Sequence, residues 1–195
     1  MSPHHVLAVL ATLALFTYAE SAGIPLPGTT ALLAAGVLAG DGRVSVIAVC
    51  AVAIVACIAG GATGYAVGHR FGTWILTRPG RLERHRRRVY ETGSRFVVRY
   101  GWSAALVCRF FSVLREGVPV LCGALRMPWR GYIGWNSVGA VAWVLWHVLL
   151  GFFVGAAAGI TRGLTAIAVF KIALAVAVGA AVAVRRFRRR AVRAD

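Results

Sequence analysis

Six apolar stretches occupy most of this chain, and their lengths leave few folds open to it. They cover residues 5–19, 22–40, 44–68, 103–125, 132–160 and 164–184, against the roughly 20 residues a helix needs to cross a hydrocarbon core. Inside a bilayer the backbone must satisfy its own polar groups, so runs of this kind fold as helices. Hydrophobic residues make up 59% of the 195 positions and charged residues 14%, where a soluble domain carries about 25% charged residues. The expectation is an all-α polytopic membrane protein. Residues 1–184 are expected to form a single membrane domain and residues 185–195 a basic tail.

The formal net charge is nevertheless +16, and it is unevenly spread. Eight arginines fall in residues 78–99 and six in the tail, Arg185 to Arg193. The positive-inside rule places both segments in the cytoplasm of a multi-pass plasma-membrane protein. Three apolar stretches separate them, and three full crossings would leave the two basic segments on opposite faces. One stretch must therefore enter and leave by the same face. Residues 103–125 are the choice, because Arg109, Arg115, Glu116 and Pro119 do not suit a straight lipid-facing helix.

The same parity acts on the first half. Residues 44–68 end at the cytoplasmic loop, so residues 41–43 face outward. A helix over 5–19 that starts in the cytoplasm leaves Glu20 outside, and 22–40 must then enter and return. Its Pro25-Leu26-Pro27-Gly28 supplies the break, since proline removes a donor and glycine permits a sharp turn. Two opposed re-entrant helical hairpins packed with transmembrane helices result, the arrangement of inverted-repeat transporters. The first stretch has a signal peptide's apolarity, but no Lys or Arg precedes it and the chain stays hydrophobic after it, so it is read as a retained span.

The run Arg81 to Arg88 has the charge of a nucleic-acid patch, but beside a membrane its partners are expected to be anionic headgroups, as for the tail. No nucleic acid is expected. Cys50, Cys57, Cys108 and Cys122 form no C-x-x-C pair, and the five histidines give no metal-ligand spacing. No cofactor or metal is expected.

Ionisable residues within a membrane are costly and are functional candidates for that reason. Glu20 precedes the first break and can serve proton coupling or an ion pair. Arg109 and Arg115 lie about 240° apart on one continuous helix and converge only if the segment turns. Two guanidinium forks meeting in a polar cavity suit a phosphate. Glu116 either neutralises Arg115 or supplies a second carboxylate. A structural alternative is an ion pair, Glu20 with Arg109 or Arg115 with Glu116.

Glu20-x-x-Gly23-Ile-Pro25-Leu-Pro27-Gly28, Tyr65-x-x-Gly68-x-Arg70-Phe-Gly72 and Arg109-x5-Arg115-x3-Pro119-x3-Gly123, followed by Met127, Asn136, Gly139 and Trp143, together resemble the DedA family, also described as the VTT or SNARE-associated Golgi protein group. The resemblance covers about residues 15–160. It implies two opposed hairpins with transmembrane helices, and it implies translocation of a lipid carrier. Bacterial members are implied to return undecaprenyl phosphate across the membrane with dependence on the proton gradient, and eukaryotic relatives to be lipid scramblases. It assigns Glu20 to the first acidic position and Arg109 and Arg115 to the essential arginines. Gly23, Pro25, Pro27, Gly28, Pro119 and Gly123 would shape the hairpins, with Tyr65, Gly68, Asn136 and Trp143 in support.

The sequence departs from that pattern at three places. The acid usual after Pro-Gly is Thr29, the acid usual four positions before the tyrosine is Gly61, and a usual proline is Ser112. Two transport readings stay open: a proton-coupled translocase of undecaprenyl phosphate or a related lipid, and an uncoupled phospholipid scramblase. A non-transporting scaffold for anionic lipids is a third. A lipid-phosphate phosphatase is not expected, because His147 is the one histidine in the interior of an apolar stretch and no partner motif accompanies it. The protein is expected not to be an enzyme.

Overall fold

The computed structural model describes residues 2–77 and 117–157, with the isolated positions 91, 94, 95, 101 and 165. Arg109, Arg115 and Glu116, nearly all of the basic loop, and the tail lie outside the described residues. Among those described, the chain is helical and contains no strand. The helices are α1 (Pro3–Ala22), α2 (Gly28–Gly40), α3 (Val46–Thr77), α4 (Val118–Ala124) and α5 (Trp129–Ala157).

Three of them are long and apolar enough to cross a bilayer: α1, α3 over Val46–Gly72, and α5. At 1.5 Å per residue, the 20 residues of α1 extend about 30 Å, the thickness of a hydrocarbon core. Proline is tolerated at the start of α1, where its missing N–H would have no helical partner. Leu7 and Leu15 on α1, Ile47 and Val55 on α3, and Trp146 and Phe153 on α5 are all exposed. Large apolar side chains on the outer faces of helices that are also apolar inside are the mark of a lipid-facing surface.

α1 ends because the chain turns left-handed. Gly23 has φ 105°, its N–H donates to the Glu20 carbonyl at 3.2 Å, and the Ile24 N–H donates to the Ala19 carbonyl at 3.0 Å. These two bonds are a Schellman motif with glycine at its left-handed position. Pro25 and Pro27 then keep the chain out of helical geometry until α2 begins at Gly28. The break thus occupies residues 23–27, and residues 28–40 are one uninterrupted helix of 13 residues. The turn expected within 22–40 falls between α1 and α2, because two prolines ahead of Gly28 leave nothing after it to interrupt the helix. At about 20 Å, α2 is shorter than a bilayer crossing.

The core joins α1, α2, α3 and α5 through Leu13, Leu32, Val49, Cys57, Trp143 and Val148. Small residues let the helices approach backbone to backbone. A Cβ at Gly36 would stand 2.5 Å from the Val148 carbonyl oxygen of α5, and Gly40, Gly151 and Gly155 face the opposing helix in the same way. Along α3 glycines recur every fourth residue, at 60, 64, 68 and 72, and so share one face. Gly60 meets the end of α1 at Tyr18 and Ser21, Gly64 meets Ala22 and Pro119, Gly68 meets Val120, and Gly72 meets Ala124. This is small-residue packing of the kind that membrane helices use in place of a hydrophobic driving force.

Candidate functional site

Glu20 lies in the last turn of α1 with 3% of its surface exposed. The carbonyl end of a helix is a poor place for a carboxylate. Its side chain is directed instead to the opposite kind of terminus, the first turn of α2. Gly28 opens that turn, and any Cβ there would collide with the Glu20 carboxylate. Thr29 Oγ1 donates to Glu20 Oε1 at 3.4 Å. The N-terminal end of α2 also presents backbone N–H groups and the positive end of its dipole. The Pro-Leu-Pro-Gly break therefore creates both the opening and the partner for the buried acid.

A row of buried polar groups runs beside it. Ser21 Oγ lies 3.2 Å from Cys57 Sγ on α3, and Thr17, one turn before Glu20, is fully buried. Further along α3, Asn136 of α5 is 2% exposed and sits against Gly61. A Cβ at position 61 would stand 2.7 Å from Asn136 Oδ1. Tyr132 Oη donates to the Gly61 carbonyl at 2.9 Å, and at 3.5 Å it also reaches Asn136 Oδ1.

The remaining sequence candidates take structural places. Tyr65 Oη donates to the Met127 carbonyl, its ring stacks on Tyr132 at 4.7 Å, and Gly123 lies flat against its carbonyl. Pro119 starts α4, is buried and touches the Gly64 face. Gly68 accommodates the Val120 backbone. Trp143 is 2% exposed in the core, with its ring 4.8 Å from that of His147. His147 Nδ1 lies 2.7 Å from the Trp143 carbonyl, so the histidine is engaged within its own helix.

The structure brings Glu20, Gly28 and Thr29 into one cluster, and Tyr65, Gly123 and Asn136 into a second around α3. The convergence of Arg109, Arg115 and Glu116 lies outside the described residues. Sequence reasoning missed Tyr132, a single tyrosine in an apolar run. It also missed the α3 glycine stripe, although the four-residue spacing was there to be read.

Residues 26–153 match the VTT domain. An uncharacterized membrane protein of Synechocystis, slr0232, is 35% identical over 137 residues, covering 70% of this chain and 62% of that protein. The protein DedA of Escherichia coli K12 is 29% identical over 132 residues, 67% of this chain and 60% of that protein. An uncharacterized membrane protein of Mycobacterium tuberculosis H37Rv, Rv0364, is 31% identical over 177 residues, 87% of this chain and 76% of that protein. The chain thus spans less than two thirds of the Synechocystis and Escherichia coli relatives. No solved structure matches.

Proposed function

Because the chain belongs to the DedA family of VTT-domain membrane proteins, we propose that it moves an anionic lipid, undecaprenyl phosphate or a related one, between the leaflets of the cell membrane. The observation that carries this reading is the buried Glu20 carboxylate at a helix break, closed over by Gly28 and Thr29. A carboxylate is costly inside a membrane, and one kept there is a functional candidate for that reason. In the proposed mechanism Arg109 and Arg115 bind the phosphate headgroup, and Glu20 pairs with one of these arginines when the lipid is absent. The basic loop 78–99 and the tail face the cytoplasm. The apolar groove of about 590 Å³ between α1 and α3, walled by Ala14, Leu15, Ala51 and Val55, offers the lipid tail a path along the protein surface.

One observation favours the uncoupled scramblase over the proton-coupled translocase. Thr29 faces Glu20 with a hydroxyl, and Gly61 faces the Asn136 amide. At both positions where the family resemblance places an additional acid, a neutral group stands instead. A leaflet-exchange assay in proteoliposomes tests both readings. Undecaprenyl phosphate and phosphatidylcholine are compared with and without a pH gradient. Exchange of the anionic lipid that ignores the gradient supports the uncoupled form. No exchange of either lipid by well-folded protein overturns both.

A further inference from the structure

A second cluster of donors lies away from Glu20. Tyr65, Ala66, His69, Arg70 and Trp129 line an open cavity of about 650 Å³ between the far end of α3 and the start of α5. Ser21, next to Glu20, packs at Gly60 of α3, and Arg70 stands ten residues on, about 15 Å along the helix. Arg70 is also about 36 Å from Val46, where α3 begins, which exceeds the roughly 30 Å of a hydrocarbon core. The cavity therefore opens at a membrane surface.

Its walls are fixed. The Tyr65 ring stacks on Tyr132 and lies 5.0 Å from the Trp129 ring, and the His69 ring is stacked with it at 6.0 Å. The Tyr65 hydroxyl is committed to the Met127 carbonyl. The groups left to face a ligand are the Arg70 fork, the His69 imidazole and the Trp129 indole N–H. Among the described residues no carboxylate lines the cavity and no ion pair engages Arg70, Arg126 or Arg130. Arg126 and Arg130, both exposed, flank Trp129 in sequence. Arg126 holds a left-handed backbone, φ 54°, a conformation that costs a non-glycine residue about 1–2 kcal/mol.

A planar guanidinium fork selects an anion with paired oxygens, and the Trp129 indole N–H adds a donor beside it. Tryptophan at this depth is a side chain of the membrane interface, and Val67 and Phe71 expose apolar surface on the same helix. We infer that this cavity docks the phosphate group of an anionic lipid at the membrane surface, as a site separate from the Glu20 break. The inference goes beyond the proposed translocation: a protein that binds lipid phosphate here without moving it still satisfies it.

Trp129 makes the site its own reporter. The full chain is placed in phosphatidylcholine nanodiscs and titrated with brominated phosphatidic acid or brominated phosphatidylcholine. The difference between the native protein and Trp129→Phe isolates the Trp129 fluorescence. Phosphatidic acid should quench it at a roughly tenfold lower concentration than phosphatidylcholine. Arg70→Gln should abolish that preference with an unchanged melting temperature, and Arg70→Lys should retain part of it. Equal quenching by the two lipids, or an undiminished preference in well-folded Arg70→Gln, overturns the inference. Relief of quenching by inorganic phosphate at a concentration equal to the lipid's assigns the site to free phosphate and overturns the lipid assignment.

Discussion

Thr29 reaches across the break between α1 and α2 to donate a hydrogen bond to the carboxylate of Glu20. Nine residues separate them in sequence, and the left-handed Gly23 with the two prolines after it brings them together. An acid at position 29 would place two carboxylates at this one site, where they would share a proton because like charges so close do not both ionise. A hydroxyl fixes Glu20 without that exchange.

Thr29→Asp should therefore install the missing exchange. In the leaflet-exchange assay, transport by this variant is expected to become sensitive to an imposed pH gradient while the native protein stays insensitive. Gradient-insensitive transport by a folded Thr29→Asp protein would remove the assigned role of this pair.

Gly28→Ala should disturb the same cluster sterically. The added methyl group meets the Glu20 carboxylate, and overpacking of this kind costs about 1–3 kcal/mol. The expected result is a lower melting temperature in detergent, with much of the loss recovered in the double variant Gly28→Ala/Glu20→Ala. Simple additivity of the two changes would mean that the residues do not interact.

The two Schellman ends make a matched pair of opposite predictions. α4 closes as α1 does, with the Arg126 N–H on the Gly123 carbonyl at 2.9 Å and the Met127 N–H on the Cys122 carbonyl at 3.1 Å. Arg126 stands where α1 has Gly23. Gly23→Ala should destabilise by about 1 kcal/mol and Arg126→Gly should stabilise by a similar amount, read as opposite shifts in thermal midpoint.

Tyr132→Phe should cost about 1–3 kcal/mol, because it removes the donor to the Gly61 carbonyl and leaves a buried acceptor without it. Tyr18→Phe is the control. Its hydroxyl bonds Thr63 at 2.8 Å on a more exposed face, and its loss should lower the midpoint much less.

Much of the first site could be read from the sequence because its signals are local. A lone carboxylate in an apolar run marks itself, and Pro25, Pro27 and Gly28 mark a break wherever they stand. The side on which the helix resumes was harder, since proline and glycine announce an interruption without dating it to one end. The cavity at Arg70 was not legible at all. Its walls come from residues about 60 positions apart, and each alone is an ordinary interfacial side chain. Asn136 enters only through the family resemblance, and its partner Gly61 only for the acid it lacks, not for the amide it admits.

The glycine face of α3 carries a mechanical consequence. Where α1 and α4 rest on Gly60, Gly64, Gly68 and Gly72, α3 contributes no side chain that could change rotamer to absorb a displacement. At those four points the contact has no soft layer. There either arm can slide on α3 as a rod on a rail, and a slide that re-seats on the next glycine must travel four residues, about 6 Å.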